Sequence, residues 1–227
     1  MRYLHYILPY MMRRSLVCTA LIVIVLVAML TPSKMSGQTT LQLKISPLGF
    51  HFFKEPNKNL YENRIDANST FVLEPCVILG VETYLVSDIL CFRANFGGLG
   101  DAMSKPGLFL QAGLKVRMFQ VYRNSLSFGA GLMGYGHECW NTVHNYQEER
   151  GWKQNGSWEY SVGFLADLEY ALFLNDKSDL MFNITYGYQK KTFNFTIGYR
   201  YWLSSIIKHP IKCGSCPFTK SNNKWKK

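Results

Sequence analysis

The stretch Phe193–Leu203, FNFTIGYRYWL, decides how this chain is read. Phe193, Phe195, Ile197, Tyr199, Tyr201 and Leu203 alternate with Asn194, Thr196, Gly198, Arg200 and Trp202. A period of two belongs to a strand whose two faces meet different surroundings. One face is apolar and mostly aromatic, while the other is polar or small apart from Trp202. The same pattern recurs in segment after segment. Repeated aromatic-rich apolar faces set against polar ones are the signature of a transmembrane β-barrel, with lipid outside and a polar interior.

Seven further runs share this period, at about 41–53, 70–86, 89–97, 107–122, 125–137, 158–174 and 180–188. The run at 158–174 is the longest clean case. Trp158, Tyr160, Val162, Phe164, Leu168, Tyr170 and Leu172 face one way, and Glu159, Ser161, Gly163, Asp167 and Glu169 the other. Pro47 and Pro75 interrupt their runs, so a bulge or bend is expected at each. Ser87-Asp88, Arg123-Asn124 and Asn175–Ser178 carry turn chemistry. Longer links lie at 54–69, 97–106 and 138–157, and the link near 189–192 is short. Short and long links alternate as in bacterial barrels, and an even strand count returns both ends to one side. The expectation is an all-β, eight-stranded antiparallel up-and-down barrel over 39–203.

The formal net charge of +10 belongs to the two ends. Residues 1–38 hold Arg2, Arg13, Arg14 and Lys34, and residues 204–227 hold six lysines, with no acid in either. Removing these four and six from the 25 basic residues leaves 15, equal to the 15 acidic ones. A neutral body gives no reason to expect nucleic acid as a partner. At the N-terminus, Arg13 and Arg14 precede an apolar run from Leu16 to Leu30, then small residues near Ser36-Gly37-Gln38. That order is a secretory signal over 1–38. The run is shorter than the ~20 residues of a spanning helix, and an uncleaved anchor is the alternative. Residues 204–227 form a basic tail with Cys213-Gly-Ser-Cys216. In an oxidising compartment that pair suits a small disulfide. A redox or zinc role would need a helix N-terminus or two further ligands.

With the aromatic face outward, the lumen receives Lys44, Arg93, Lys115, Arg117 and Arg200. It also receives Glu74, Glu82, Glu159, Asp167 and Glu169. An eight-stranded barrel is just wide enough for side chains to fill it, and buried charges must be paired. Five of each sign suit a salt-bridge plug better than an ion path, so an open porin is not expected. A two-residue Ser87-Asp88 turn sets Glu82 directly opposite Arg93.

The signal, the eight alternating strands and the aromatic final strand resemble the small outer-membrane β-barrels of Gram-negative bacteria, the OmpA, OmpX and OmpW-like group. The resemblance spans roughly 41–203 and rests on pattern. It implies an outer-membrane location, contact with membrane lipid and lipopolysaccharide, and a structural or surface-interaction role through the extracellular loops. Barrels of that group end on an aromatic residue, whereas here Tyr201-Trp202 precedes a tail. Some such barrels act on lipid A acyl chains. The deacylating type needs His-x-Ser, which His137-Glu138-Cys139 does not supply. The acyl-transferring type pairs a loop His with an adjacent Asp-Ser, but Asp101 and Ser104 are separated. A soluble lipocalin-like barrel with the aromatic face inward is the third reading. The loop 138–157, with Trp140, His144, Tyr146 and Trp152, is the expected contact surface for an extracellular protein or glycan. His137, Cys139 and His144 lack a fourth ligand at a recognisable spacing, so neither metal nor cofactor is expected.

Overall fold

The computed structural model describes residues 38–203, except 54, 87, 88, 142, 148–150, 176, 189 and 190. The signal segment, the basic tail with Cys213 and Cys216, and the Ser87-Asp88 turn lie outside the described residues. Nine strands run β1 (Thr39–Phe50), β2 (Phe71–Val86), β3 (Leu90–Gly100), β4 (Pro106–Val121), β5 (Asn124–Glu138), β6 (Lys153–Asn155), β7 (Trp158–Asn175), β8 (Ser178–Gly187) and β9 (Thr192–Trp202). Each long strand pairs antiparallel with its neighbours, β5 pairs directly with β7, and β9 pairs with β1. The ring is therefore closed by eight long strands. Three-residue β6 extends it beside the upper end of β7. Closure matters because an open edge would leave unpaired backbone groups in lipid.

The alternation in the sequence becomes inside and outside. On β7, Val162 and Phe164 are 71% and 70% exposed, while Glu159, Asp167 and Glu169 are buried. On β9, Phe195, Ile197, Tyr199 and Tyr201 face out, and Arg200 and Trp202 are fully buried within. Among the described residues, the outward positions between the barrel's rims carry no Asp, Glu, Lys or Arg. The inverted, lipocalin-like arrangement is not the one this chain adopts.

Pro47 and Pro75 sit in one irregularity. The register of β1 with β2 shifts between Ser46 and Leu48, and that of β1 with β9 shifts between Ile45 and Leu48. Neither proline can donate to a ladder, so both fall where pairing slips. At Gly113 and Gly131, paired across β4 and β5, the backbones approach closely. A Cβ on Gly113 would meet the Ala130 carbonyl oxygen at 2.4 Å, and one on Gly131 the Ala112 oxygen at 2.3 Å.

Both described chain ends and the links β2–β3, β4–β5 and β7–β8 lie at one end, the turn end. The other end carries loop L1 (51–70), L2 (101–105), L3 (139–157, containing β6) and L4 (188–191).

Candidate functional site

From turn end to loop end, the lumen is filled in layers. Lowest is an aromatic plug in which Tyr84 and Trp202 stack with ring centroids 5.4 Å apart, beside Phe173 and Cys91. The Arg117 guanidinium lies 5.6 Å from the Tyr84 ring centre and donates to its hydroxyl at 3.2 Å. Trp202 Nε1 donates to Asp179 at 2.9 Å.

Above the plug lies an ionic layer. Lys115 Nζ donates to Glu169 at 2.7 Å and also to Glu82. Arg200 pairs with Glu169, with Glu82 at 3.4 Å and with Asp179 at 3.3 Å. Lys44 stands 3.6 Å from Glu169, which also accepts from Asn183 at 3.1 Å. Arg93 grips Asp167 with both guanidinium nitrogens, one at 2.6 Å. Gly129 makes room for this clamp, since a Cβ there would fall 2.3 Å from Asp167 Oδ1. Lys44, Arg93, Lys115 and Arg200 thus face Glu82, Asp167, Glu169 and Asp179, and the layer is neutral. Paired and hydrogen-bonded ions are the form in which buried charge is tolerated.

A cavity of about 60 Å³ follows, walled by apolar Ile78, Phe109 and Met133 and by polar Asn95, Asn183 and Thr196. The mouth closes over it. His51 and Glu74 stand 3.6 Å apart, and His51 Nδ1 lies 3.5 Å from Glu55 and 3.4 Å from the hydroxyls of Tyr61 and Thr192. The Tyr61 hydroxyl donates to Glu55. Burial pulls the His51 pKa down, but hydrogen bonds and charge from Glu55 and Glu74 outweigh it, so the net shift is upward from 6.5. Asp101 accepts from the backbone of Met103 and Lys105 and from Trp140 Nε1, with His137 Nδ1 3.4 Å away.

All ten charges read as luminal lie inside the barrel, Arg117 half-buried and the rest buried. Glu82 does pair in register with Arg93. Their charges do not pair, however: Arg93 crosses to Asp167 on the far wall, and Glu82 takes Lys115 and Arg200. Glu74 and Glu159 belong to the mouth, where Tyr146 donates to Glu159 at 3.2 Å. Asp179 escaped the sequence reading because the run expected after the Asn175–Ser178 turn starts at 180, whereas β8 begins at Ser178.

The four residues named on loop 138–157 fall in two kinds of place. Trp140, Tyr146 and Trp152 are half-buried and turned into the mouth, where Trp152 meets the His137 and Tyr135 rings at 4.7 and 5.5 Å. Of the four residues named, only His144 stands exposed. Large rings fill a mouth more favourably than they meet water. Asp101 and Ser104 form the L2 turn, with the Asp101 carboxylate spent on holding it. The Thr192 hydroxyl beside His51 is fully buried. Cys91 and Cys139 are free thiols. Among the described residues, no group of three or more His, Cys, Asp or Glu side chains is placed to hold a metal ion.

No protein-family model matches the chain, and no curated protein matches it either. Solved structures do align with it. Neisserial surface protein A shares 8% identity over 73% of this chain and 96% of its own, with a TM-score of 0.46. The N-terminal β-barrel domain of Pseudomonas aeruginosa OprF shares 11% over 74% and 99%, at 0.41. Ail, the attachment invasion locus protein of Yersinia pestis, solved with the heparin analogue sucrose octasulfate, shares 10% over 73% and 97%, at 0.40. Likenesses this weak say nothing of function, and the fold rests on the closed ring and two-faced strands of the chain itself.

Proposed function

We propose that this protein is a non-enzymatic outer-membrane barrel of a Gram-negative bacterium, exported by a cleaved signal over 1–38, with a structural or surface-interaction role. One observation carries the reading. The wall presents an uncharged apolar belt outward, while the interior is filled with self-neutralising ions between an aromatic plug and an aromatic mouth. An apolar belt of this kind is matched to lipid and costly in water. A lumen whose cations and acids bind one another favours a rigid pillar over a conducting pore. Membrane lipid and lipopolysaccharide are then its immediate surroundings. An extracellular protein or glycan would be met by exposed parts of the loops, such as Phe52, Ile65 and His144.

The test is fractionation with a gel. The protein should co-sediment with outer membranes, begin near residue 38, and migrate differently on a denaturing gel before and after boiling. In planar bilayers it should give no stable conductance step. Recovery in the soluble periplasm would overturn the membrane reading, and a steady ohmic channel would overturn the closed lumen.

A further inference from the structure

Beneath L1 and L3 lies a second void, of about 40 Å³, whose chemistry the outer-membrane reading does not use. Its roof is held by Asn57, which donates to the Gln147 carbonyl at 2.8 Å and accepts from its N–H at 2.9 Å. Tyr61, Tyr135, Trp140, Tyr146 and Trp152 line it with aromatic rings. Glu55 and Glu74 line it with carboxylates, and His51 stands between them. The Glu55 side chain is only 8% exposed. Its Oε2 accepts from Tyr61, while its Oε1 is buried without a hydrogen bond among the described residues.

Each part of this arrangement selects for positive charge. Ring faces carry negative quadrupole density and attract cations within about 6 Å. Glu55, Glu74, Asp101 and Glu159 stand in or against the chamber, with the imidazoles of His51 and His137 among them. Lys58 stands at its edge and donates to the His51 carbonyl at 2.7 Å, and Lys105 is paired with Glu138 at 2.9 Å. Among the described residues, these four carboxylates outnumber Lys58 and the two imidazoles. Size narrows the choice further. At about 10–15 Å³ per water-sized position, a 40 Å³ void holds roughly three such positions. That fits an ammonium and the first carbons of its stem. A quaternary ammonium is too wide, and it has no N–H for Glu55 Oε1.

We infer that this chamber binds a primary alkylammonium group, with Glu55 and Glu74 as its carboxylate partners and the Trp and Tyr rings as its walls. The same chemistry has two sources, a free small amine or a lysine side chain of a protein at the cell surface, and the test separates them.

The folded barrel in detergent is titrated by calorimetry with ethylammonium chloride, with ethanol as its uncharged counterpart and tetramethylammonium as the oversized cation. Nα-acetyl-lysine methylamide represents the side chain. Ethylammonium should bind saturably, and ethanol and tetramethylammonium should not. Glu55→Gln should weaken ethylammonium roughly tenfold, as loss of a charge-assisted bond does. Trp152→Leu, which stays apolar but removes a ring face, should weaken it a few-fold. Both variants should keep the boiled-versus-unboiled gel shift, so weaker binding is not misfolding. Tighter binding of the lysine derivative assigns the source as a side chain, and binding of ethylammonium alone assigns it as a free amine. Absence of saturable ethylammonium binding, equal binding of ethanol, or undiminished affinity in Glu55→Gln would each overturn the assignment.

Discussion

Replacing Glu169 by glutamine keeps the shape of the lumen's most connected side chain and removes its charge. In the native barrel Lys115 reaches it at 2.7 Å, Lys44 at 3.6 Å, and Arg200 and Asn183 close the shell. At an effective dielectric of about 20, pairs at those two distances attract by roughly 6 and 5 kcal/mol gross. Much of that attraction offsets the cost of holding these ions away from water, so the net loss is smaller. Removing one member of a buried set strands the others and costs roughly 3–5 kcal/mol. Glu169→Gln should fall at the upper end, because three cations converge on this one carboxylate. Adding Lys44→Met leaves Arg93, Lys115 and Arg200 against Glu82, Asp167 and Asp179 and restores neutrality. The double variant should therefore recover more than half of the loss. Guanidinium unfolding of the detergent-folded barrel, followed by tryptophan fluorescence, measures both. A single variant within about 1 kcal/mol of the native protein, or single-site costs that simply add, would show that these ions are solvated and unpaired.

Four further outcomes follow. Arg93→Met should be rescued by Asp167→Asn and not by Glu82→Gln, because Arg93 clamps Asp167; a double-mutant cycle measures the coupling, expected at roughly 1–3 kcal/mol. Gly113→Ala should destabilise the barrel by roughly 2 kcal/mol or more by forcing β4 and β5 apart. Gly134→Ala should be tolerated, since the nearest heavy atom to its new Cβ would be 4.0 Å away; unfolding midpoints compare the two. The His51 pKa is raised in the folded state, so its contribution to L1 is complete below about 6.5 and is lost as pH rises through the folded value. Protection factors of L1 amides, corrected for the intrinsic pH dependence of exchange, should accordingly be higher at pH 5.5 than at pH 8.5. Expression in a host bearing lipid A should leave its acyl pattern unchanged by mass spectrometry; an acyl change abolished by His51→Ala or His137→Ala would install an enzymatic reading.

The strands and their two faces were legible because a barrel wall in lipid has the plainest code available, a period of two with opposite solvents on each side. Phe193–Leu203 states that code almost without error, and even its exception, Trp202, is explained by the plug it completes. The set of inward charges was legible for the same reason. Their pairing was not. A hairpin register tells which residues are neighbours along the wall, but Arg93 and Asp167 are 74 residues apart and meet across the lumen. Only ring closure brings them together. The mouth was hidden on the same ground, since His51, Asp101, Trp140 and Thr192 come from three loops and the start of β9. Asp179 shows a smaller limit. An Asn-Asp-Lys-Ser run is turn-like by composition, and only the β7–β8 pairing shows that the strand resumes so early.

The antiparallel ladder between β1 and β9 carries a consequence for how the molecule assembles. Arg200 sits on the strand that is synthesised last, and its guanidinium meets Glu82, Glu169 and Asp179 from three other strands. Until β9 docks, those acids outnumber the cations beside them, and the Tyr84 ring lacks the indole that covers it. The seam between first and last strand is thus also the step that neutralises the interior. Most contacts of that step join residues far apart in the chain, the kind that form slowly. Completion of the wall and completion of its filling become one cooperative event, which gives a half-closed sheet little free energy to rest on.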